Sequence, residues 1–201
     1  MKCRGLIFRL FALAAFWLLT LSGASAARFS TVIIDAGHGG KDKGAYWGGV
    51  RESTLNLKVA RELEACLKRR GIRTVMTRRS DVFISLQARA NIANRYRNAV
   101  FVSIHSNASR NTRIRGIETY YWGNSGRILA SAIQRRLPAR VKTLNRGIHR
   151  RGLSVLMNTH CPAVLVECGF ISNPSERSRF STAWYQQTTA RAIYDALMAY
   201  R

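Results

Sequence analysis

Four side chains able to bind a metal or move a proton flank the predicted strands and the first predicted helix. His38 lies just past the strand "TVIID", His105 lies at the end of "AVFVSIH", and Glu167 lies at the end of "AVLVE". Glu52 directly precedes the first long helix. Open α/β sheets place their ligand sites at the carboxyl ends of strands. We therefore predict that these four groups share one edge of one sheet.

Two imidazoles and a carboxylate are a typical catalytic zinc set, with water in the fourth position. Zinc makes bound water more acidic and polarises a carbonyl, and a second carboxylate can move the water's proton to a leaving amine. Glu52 suits the ligand role because it travels with the His38 loop, and Glu167 suits the base role. Spacing alone leaves these roles open, because a lone histidine after a strand is commonly structural. The glycines around His38 leave room for a group to approach.

The elements that must position these groups alternate between strands and helices. This alternation predicts an α/β fold, a single domain whose twisted, mostly parallel mixed sheet carries helices on both faces. A short polar loop before "GIETYYW" leaves antiparallel pairing open. The predicted strands are "TVIID", "IRTVMT", "AVFVSIH", "GIETYYW", "LSVLM" and "PAVLVECGF". The predicted helices are "STLNLKVARELEACLKRRG", "SLQARANIANRYR", "SGRILASAIQRRL" and "AWYQQTTARAIYDALMAY".

Local signals define the ends of two of these helices. Ser53 is predicted to cap the first helix and Gly71 to end it, while Pro138 is predicted to stop the third. Cys66 falls on the apolar stripe of the first helix, which indicates a core residue. With Cys161 and Cys168 the presumed mature chain has an odd cysteine count, so one disulfide at most is predicted.

The amino terminus has the pattern of a secretory signal. Three basic residues precede the apolar run "FALAAFWLLTL", and "SGASA" follows it. We predict a signal peptide over residues 1–26, cleavage after Ala26, and a catalytic domain over residues 27–201. An uncleaved membrane anchor is the alternative, but the run is short for a full span. The protein is therefore expected to be exported, and to be periplasmic or associated with the cell wall.

The charge is strongly basic. The formal net charge of +23 becomes +20 once the three basic residues of the leader are removed. Such a surface favours polyanions, and for an exported protein these include anionic wall polymers as well as nucleic acid. The basic residues are spread along the chain, and no dedicated nucleic-acid motif accompanies them. A solvated basic surface without a specific polyanion site remains the alternative.

Seven stretches of the chain occur together, and in the same order, in one known family. From about Thr31 to Leu197 the sequence resembles the zinc-dependent N-acetylmuramoyl-L-alanine amidases of the amidase type 3 group. The stretches are "IIDAGHGGKDKGA", "RESTLNLKVARELEACLKRRG", "TR" followed by "SLQARANIAN", "FVSIHSNAS", "GIETYY", "NRG" and "PAVLVECGFISNPSE".

This resemblance implies a role for each of the four groups. His38, Glu52 and His105 would bind one catalytic Zn²⁺, and Glu167 would be the catalytic carboxylate. The substrate would be peptidoglycan, cleaved at the amide between the lactyl group of N-acetylmuramic acid and L-alanine. We expect a monomer. A zinc peptidase acting within the stem peptide and a non-catalytic wall-binding module are the competing hypotheses.

Other polar residues near the four groups have roles that the sequence leaves undecided. Asp35 either orients a metal ligand or caps a loop, and Arg89 either pairs with a carboxylate or lies in solvent. Asn107 either binds substrate or closes a turn. His149 and His160 match no ligand position of the family. Core packing is favoured for Cys168.

Some cell-separation members of the family carry an inserted helix that covers the zinc. In this chain the corresponding stretch is "SNASRNTRIRGIETYYWGNSGRILASAI". It holds a short polar loop, a predicted strand and the start of a helix. We therefore predict that no autoinhibitory helix is present and that the site is open.

Overall fold

The computed structural model describes residues 28–201, so the predicted leader and its cleavage site lie outside the described residues. Within the described part, no helix is both long enough and apolar enough to cross a membrane. Cys66, Cys161 and Cys168 are free thiols, and Cys66 and Cys168 are buried in the core, as predicted.

A six-stranded mixed sheet forms the centre of the fold, in the order β4-β1-β5-β8-β6-β7. Strands β4, β1, β5 and β8 are mutually parallel, β6 runs antiparallel to β8, and β7 runs parallel to β6. A small hairpin, β2 with β3, lies apart from this sheet. The strands are β1 (Thr31–Ala36), β2 (Tyr46–Trp47), β3 (Val50–Arg51), β4 (Arg73–Met76), β5 (Ala99–Asn107), β6 (Ile117–Tyr121), β7 (Asn145–Arg150) and β8 (Ala163–Phe170).

Seven helices occupy the described residues, and five of them cover the two faces of the sheet. Helix α7 packs against both α1 and α3, and these three helices cover the face we term the back, while α2 and α5 cover the opposite, front face. The helices are α1 (Glu52–Lys68), α2 (Leu86–Asn94), α3 (Asn124–Gln134), α4 (Leu137–Val141), α5 (Ser154–Met157), α6 (Pro174–Phe180) and α7 (Ala183–Tyr200). The predicted fold class is confirmed.

Strand residues alternate between the two faces, and this alternation places the site. On β1, Val32 and Ile34 belong to the back core, whereas Ile33 belongs to the front core. Since side chains two residues apart share a face, His105 and Glu167 lie on the front face with Phe101 and Leu165. Both groups lie in the carboxyl-terminal halves of their strands.

Three local predictions were wrong. "LSVLM" is not a strand, because Ser154–Met157 forms the short helix α5, whose Val155 and Leu156 are buried against the front face. Arg51, rather than Ser53, precedes the first turn of α1, because that helix begins at Glu52. Pro138 lies in the first turn of α4 instead of ending α3, a position where the missing N–H of proline costs nothing.

Candidate active site

His38, Glu52 and His105 converge at the carboxyl edge of the parallel strands. One donor atom from each lies within 4.8 Å of the others. The Oε1 atom of Glu52 lies 3.2 Å from His38 Nε2 and 3.0 Å from His105 Nδ1. The structure therefore brings together the three side chains that the sequence singled out as metal ligands.

Glu52 is fixed by several donors at the start of α1. Its Oε2 accepts the backbone N–H of Ala45 at 2.9 Å, and its Oε1 accepts the backbone N–H of Ser106 at 3.1 Å and the Asn56 amide at 3.2 Å. Burial opposes ionisation, but hydrogen bonds with His105 and His38 hold the pKa of Glu52 far below its usual range. The side chain is thus an anion in a fixed position, as a metal ligand requires.

Two glycines make room for the cluster itself. A Cβ atom on Gly37 would come within 2.2 Å of His105 Nε2, and one on Gly44 within 2.6 Å of Glu52 Oε2. Gly44 also has a φ of +64°, a backbone angle that residues with a side chain rarely adopt. At Gly37, which flanks His38, the space that we expected for an approaching group is therefore occupied by the His105 ring.

His38 has a left-handed backbone, with a φ of 62° that is unusual for a residue with a side chain. Arg89 stabilises this conformation: its Nη2 donates to the His38 carbonyl at 2.8 Å, while its Nη1 contacts Asp35 Oδ1 at 2.6 Å. Arg78 donates to the carbonyls of Ala36 at 2.8 Å and of the next residue at 2.9 Å. Two buried guanidinium groups thus hold the turn that presents His38.

Asp35 acts through this ion pair, and its side-chain partners are Arg89, Thr77 and Ser103 rather than the candidate metal ligands. Burial would raise the pKa of Asp35, but Arg89 and the hydroxyls of Ser103 and Thr77 hold it below its usual range. Of the two roles weighed for Arg89, pairing with a carboxylate is the observed one.

We expect Arg89→Met to destabilise the domain by about 3–5 kcal/mol, because it leaves the buried Asp35 carboxylate without its cation. Urea unfolding measures this free energy. The control is Arg140→Met, which removes an exposed arginine paired with the half-buried Asp195 and should cost at most about 1 kcal/mol. Equal losses in the two variants would contradict the role given to Arg89.

The donor set fits a zinc ion. Asp42 Oδ2 lies 2.9 Å from His38 Nδ1, so Nδ1 can keep its proton and leave Nε2 free to coordinate. His105 presents Nδ1 to the same point, and the two imidazole rings meet edge to face at 4.8 Å. Two nitrogens and a carboxylate oxygen around one position are suited to this metal.

Glu167 lies beside the cluster, directly across β5 and β8 from His105. Its Oε2 atom is buried and has no hydrogen-bond partner among the described residues. Burial raises the pKa of Glu167 well above its usual range, and the nearby carboxylates of Glu52 and Glu118 raise it further. A buried carboxyl oxygen without a partner is unusual and is available to a bound water or substrate.

A cleft of about 290 Å³ adjoins the cluster on the front face. His38 and His105 line one end of it, and the rest is mostly apolar. Phe83, in the loop before α2, is 45% exposed, and Leu86, at the start of α2, is 55% exposed. The cleft leads from solvent to the proposed metal ligands, so a substrate can reach them.

The structure places the remaining sequence candidates as follows. Asn107 donates to Glu118 Oε1 at 2.7 Å and accepts the N–H of the next residue, so it closes a turn and also joins a polar cluster. His149 and His160 are exposed and lie outside the group of candidate metal ligands found among residues 28–201. Cys168 is buried, and burial raises the pKa of its thiol.

Two charged residues near Glu167, Glu118 and Arg146, were not predicted from the sequence. Glu118 is buried on β6 directly opposite Glu167, and Arg146 Nε lies 3.1 Å from Glu118 Oε2. Both occur in stretches already quoted, "GIETYY" and "NRG". A charged residue within an otherwise apolar strand was the available signal at Glu118.

Comparisons with known proteins show the family and the fold of this chain. LytC, an N-acetylmuramoyl-L-alanine amidase of Bacillus subtilis, is 38% identical over 175 residues, covering 85% of this chain and 35% of LytC. The chain thus spans about a third of that relative's length. The catalytic domain of CwlV, from Bacillus (Paenibacillus) polymyxa var. colistinus, superposes with a TM-score of 0.83 at 34% identity, covering 86% of this chain and 98% of CwlV. The amidase AmiC2 of Nostoc punctiforme superposes with a TM-score of 0.81 at 35% identity, covering 86% of this chain and 97% of AmiC2.

The fold and these similarities place the protein in the class of hydrolases that act on amide bonds. Within that class, the family model Amidase_3, described as N-acetylmuramoyl-L-alanine amidase, matches residues 32–199. The chain belongs to this family, whose members usually depend on zinc.

Proposed function

We propose that this chain is an exported, zinc-dependent N-acetylmuramoyl-L-alanine amidase that cleaves peptidoglycan between the lactyl group and L-alanine. One observation carries the proposal: three candidate zinc ligands meet at the same edge of the sheet as Glu167, whose buried Oε2 has no partner among residues 28–201. The family relationship supports the choice of bond. Export is supported by the leader pattern in the sequence and by the extracytoplasmic location of peptidoglycan.

The proposed roles of the side chains follow from their positions. His38, Glu52 and His105 would hold the zinc, which when bound makes water more acidic and polarises the carbonyl. Glu167 accepts the proton of the attacking water at Oε2 and delivers it to the departing nitrogen of L-alanine. Asp42 fixes the His38 ring so that Nε2 faces the site.

Metal analysis and product identification on residues 27–201 test this function. Purified peptidoglycan should yield free stem peptides that begin with L-alanine, and glycan chains that keep their lactyl groups. Cuts within the stem would identify a zinc peptidase, and binding without cleavage would indicate a wall-binding module. Either result would overturn the proposal.

The same experiment needs no added activator. From Ala108 to Gly123 the described chain forms a loop, β6 and a short turn before α3, with no helix between β5 and α3. We therefore propose that the site is constitutively open. A rate that rises by orders of magnitude with a partner protein would show that another segment covers the zinc.

Chelation should abolish hydrolysis and leave the fold intact, with activity returning when zinc is added. The sheet has apolar cores on both faces that do not depend on the metal ligands, so zinc here would be catalytic rather than structural. Turnover and circular dichroism, recorded on the same sample, measure the two effects. Global unfolding on chelation would contradict this expectation.

We further propose that the basic surface tethers the enzyme to anionic wall polymers. The net charge of +20 predicted for residues 27–201 supports this role. Sedimentation with purified walls over a salt series tests it, because exposed charges more than about 10 Å apart are largely screened at 0.1 M salt. Retention should fall steeply as salt rises, and retention independent of salt would argue against electrostatic tethering.

A further inference from the structure

A buried polar cluster lies next to Glu167 on the side away from the proposed metal ligands. At its centre is Glu118, whose Oε1 accepts the Asn107 amide at 2.7 Å and the Tyr120 hydroxyl at 2.5 Å. Its Oε2 accepts from Arg146 Nε at 3.1 Å. Both oxygens of Glu118 are thus committed to fixed partners, so its position is determined.

Arg146 is held at one edge of its guanidinium group only. Nε is bound to Glu118, and the group lies 5.2 Å from the centre of the Phe170 ring. Nη1 and Nη2 donate to no acceptor within residues 28–201, and the side chain is 38% exposed. The free edge of an arginine fork binds a carboxylate through two parallel hydrogen bonds.

The strand register brings this arginine to the same edge as the candidate catalytic group. Glu118 is level with Glu167, and Ile117 is level with Asn145, the residue before Arg146. Strand β7 lies two strand spacings, about 10 Å, from β8. The Arg146 side chain extends from β7 towards β6 to reach Glu118. The distance from its guanidinium group to β8 is therefore shorter than the distance between the two strands.

The stem peptide carries a carboxylate at a matching distance. Its second residue is linked onward through the side-chain carboxyl, so its α-carboxylate is free unless it is amidated. An extended residue spans about 3.5 Å. The carboxylate therefore lies about 7 Å from the nitrogen that departs at Glu167, within reach of an arginine on β7.

We propose that Arg146, oriented by Glu118, binds the free α-carboxylate of the second stem residue and makes the enzyme selective for non-amidated stems. This inference rests on the proposed function. It also sets the direction of the substrate, with the peptide over β6 and β7 and the muramoyl group toward the apolar cleft. Arg146 is then a specificity residue, and Glu118 is a positioning residue.

Ligand binding to the zinc-loaded Glu167→Gln variant tests the inference without turnover. The probes are two muramoyl tripeptides that differ only at the second residue, with a free α-carboxylate or a carboxamide. Calorimetry should show the free acid binding about ten-fold more tightly. Adding Arg146→Gln should remove that preference. The affinity for the free-acid tripeptide should fall about ten-fold, while the affinity for the carboxamide tripeptide should change less than about two-fold.

Three further variants complete the design. Arg146→Lys keeps the charge without the fork and should retain only part of the preference. Glu118→Gln should lower the preference, because the arginine loses its anchor. Arg135→Gln removes an exposed charge at the end of α3 and should change neither affinity.

If Arg146→Gln lowers the affinity for both tripeptides equally, the inference is overturned, because the arginine would then have a purely structural role. Unchanged binding of both would overturn it as well. Hydrolysis by the parent enzyme is measured alongside. If the parent releases no stem peptide, the proposed function fails; if it hydrolyses both stems equally, only the selectivity fails.

Discussion

Glu167→Gln is expected to lower the rate of stem-peptide release by about 10²- to 10⁴-fold, the range attributed to a positioned acid or base. Glutamine preserves the shape of the side chain but cannot carry a proton between water and the leaving nitrogen. The zinc content should remain at about one per chain, because Glu167 lies beside the three candidate ligands and is not among them. Rates and metal content are measured on the same preparation.

Glu62→Gln provides the matched control for this substitution. Glu62 lies on α1, a helix of the back face. Its replacement by glutamine makes the same change of charge and shape as Glu167→Gln, but away from the front-face site. Its activity should stay near that of the parent. If Glu167→Gln also remains within a few-fold of the parent, then Glu167 is not the acid or base.

His38→Ala and His105→Ala are expected to lose both zinc and activity. Each variant removes one of the two nitrogens around the Glu52 carboxylate, and two protein ligands are too few for a catalytic zinc site. Zinc should fall from about one per chain to a small fraction, and activity should fall to the level of the chelated parent. Metal analysis after dialysis gives the stoichiometry.

The control for these variants is His160→Ala. His160 is exposed and lies outside the candidate cluster, so the variant should keep its zinc and its rate. Normal zinc stoichiometry in His38→Ala or His105→Ala would contradict the ligand assignment, whatever the activity.

The sequence predicted which side chains meet at one edge of the sheet better than it predicted some of the elements around them. His105 and Glu167 follow long apolar runs, and such runs identify buried strands whose carboxyl ends meet at one edge. The Glu118 side chain was missed because β6 runs antiparallel to β8, so a residue near the start of β6 lies at the edge where β8 has Glu167. A rule based on carboxyl ends does not find such a residue.

Short segments were the other source of error. "LSVLM" is five residues long, and periodicity cannot separate a strand from a helix over so short an apolar run. Packing of Val155 and Leu156 against the front face decides for a helix. Strand β7, "NRGIHR", is polar and lies at the edge of the sheet, so it carries no apolar alternation to predict it.

The pairing of Arg89 with Asp35 could not be predicted from the sequence either. Asp35 is 54 residues away along the chain, and only the folded sheet brings the two together. Both groups are almost completely buried, which a single sequence does not reveal for an arginine on a polar helix.

The position of β8 in the sheet determines when the enzyme can become competent during folding. This strand comes after all the others in the described chain, yet it lies between β5 and β6. Until residues 163–170 are available, β4-β1-β5 and β6-β7 are separate pieces with unpaired edges. Such long-range pairing is slow to form. A chain that has been synthesised only as far as residue 162 therefore has every candidate zinc ligand but lacks Glu167. Its hydrolytic activity would arise only as the sheet closes.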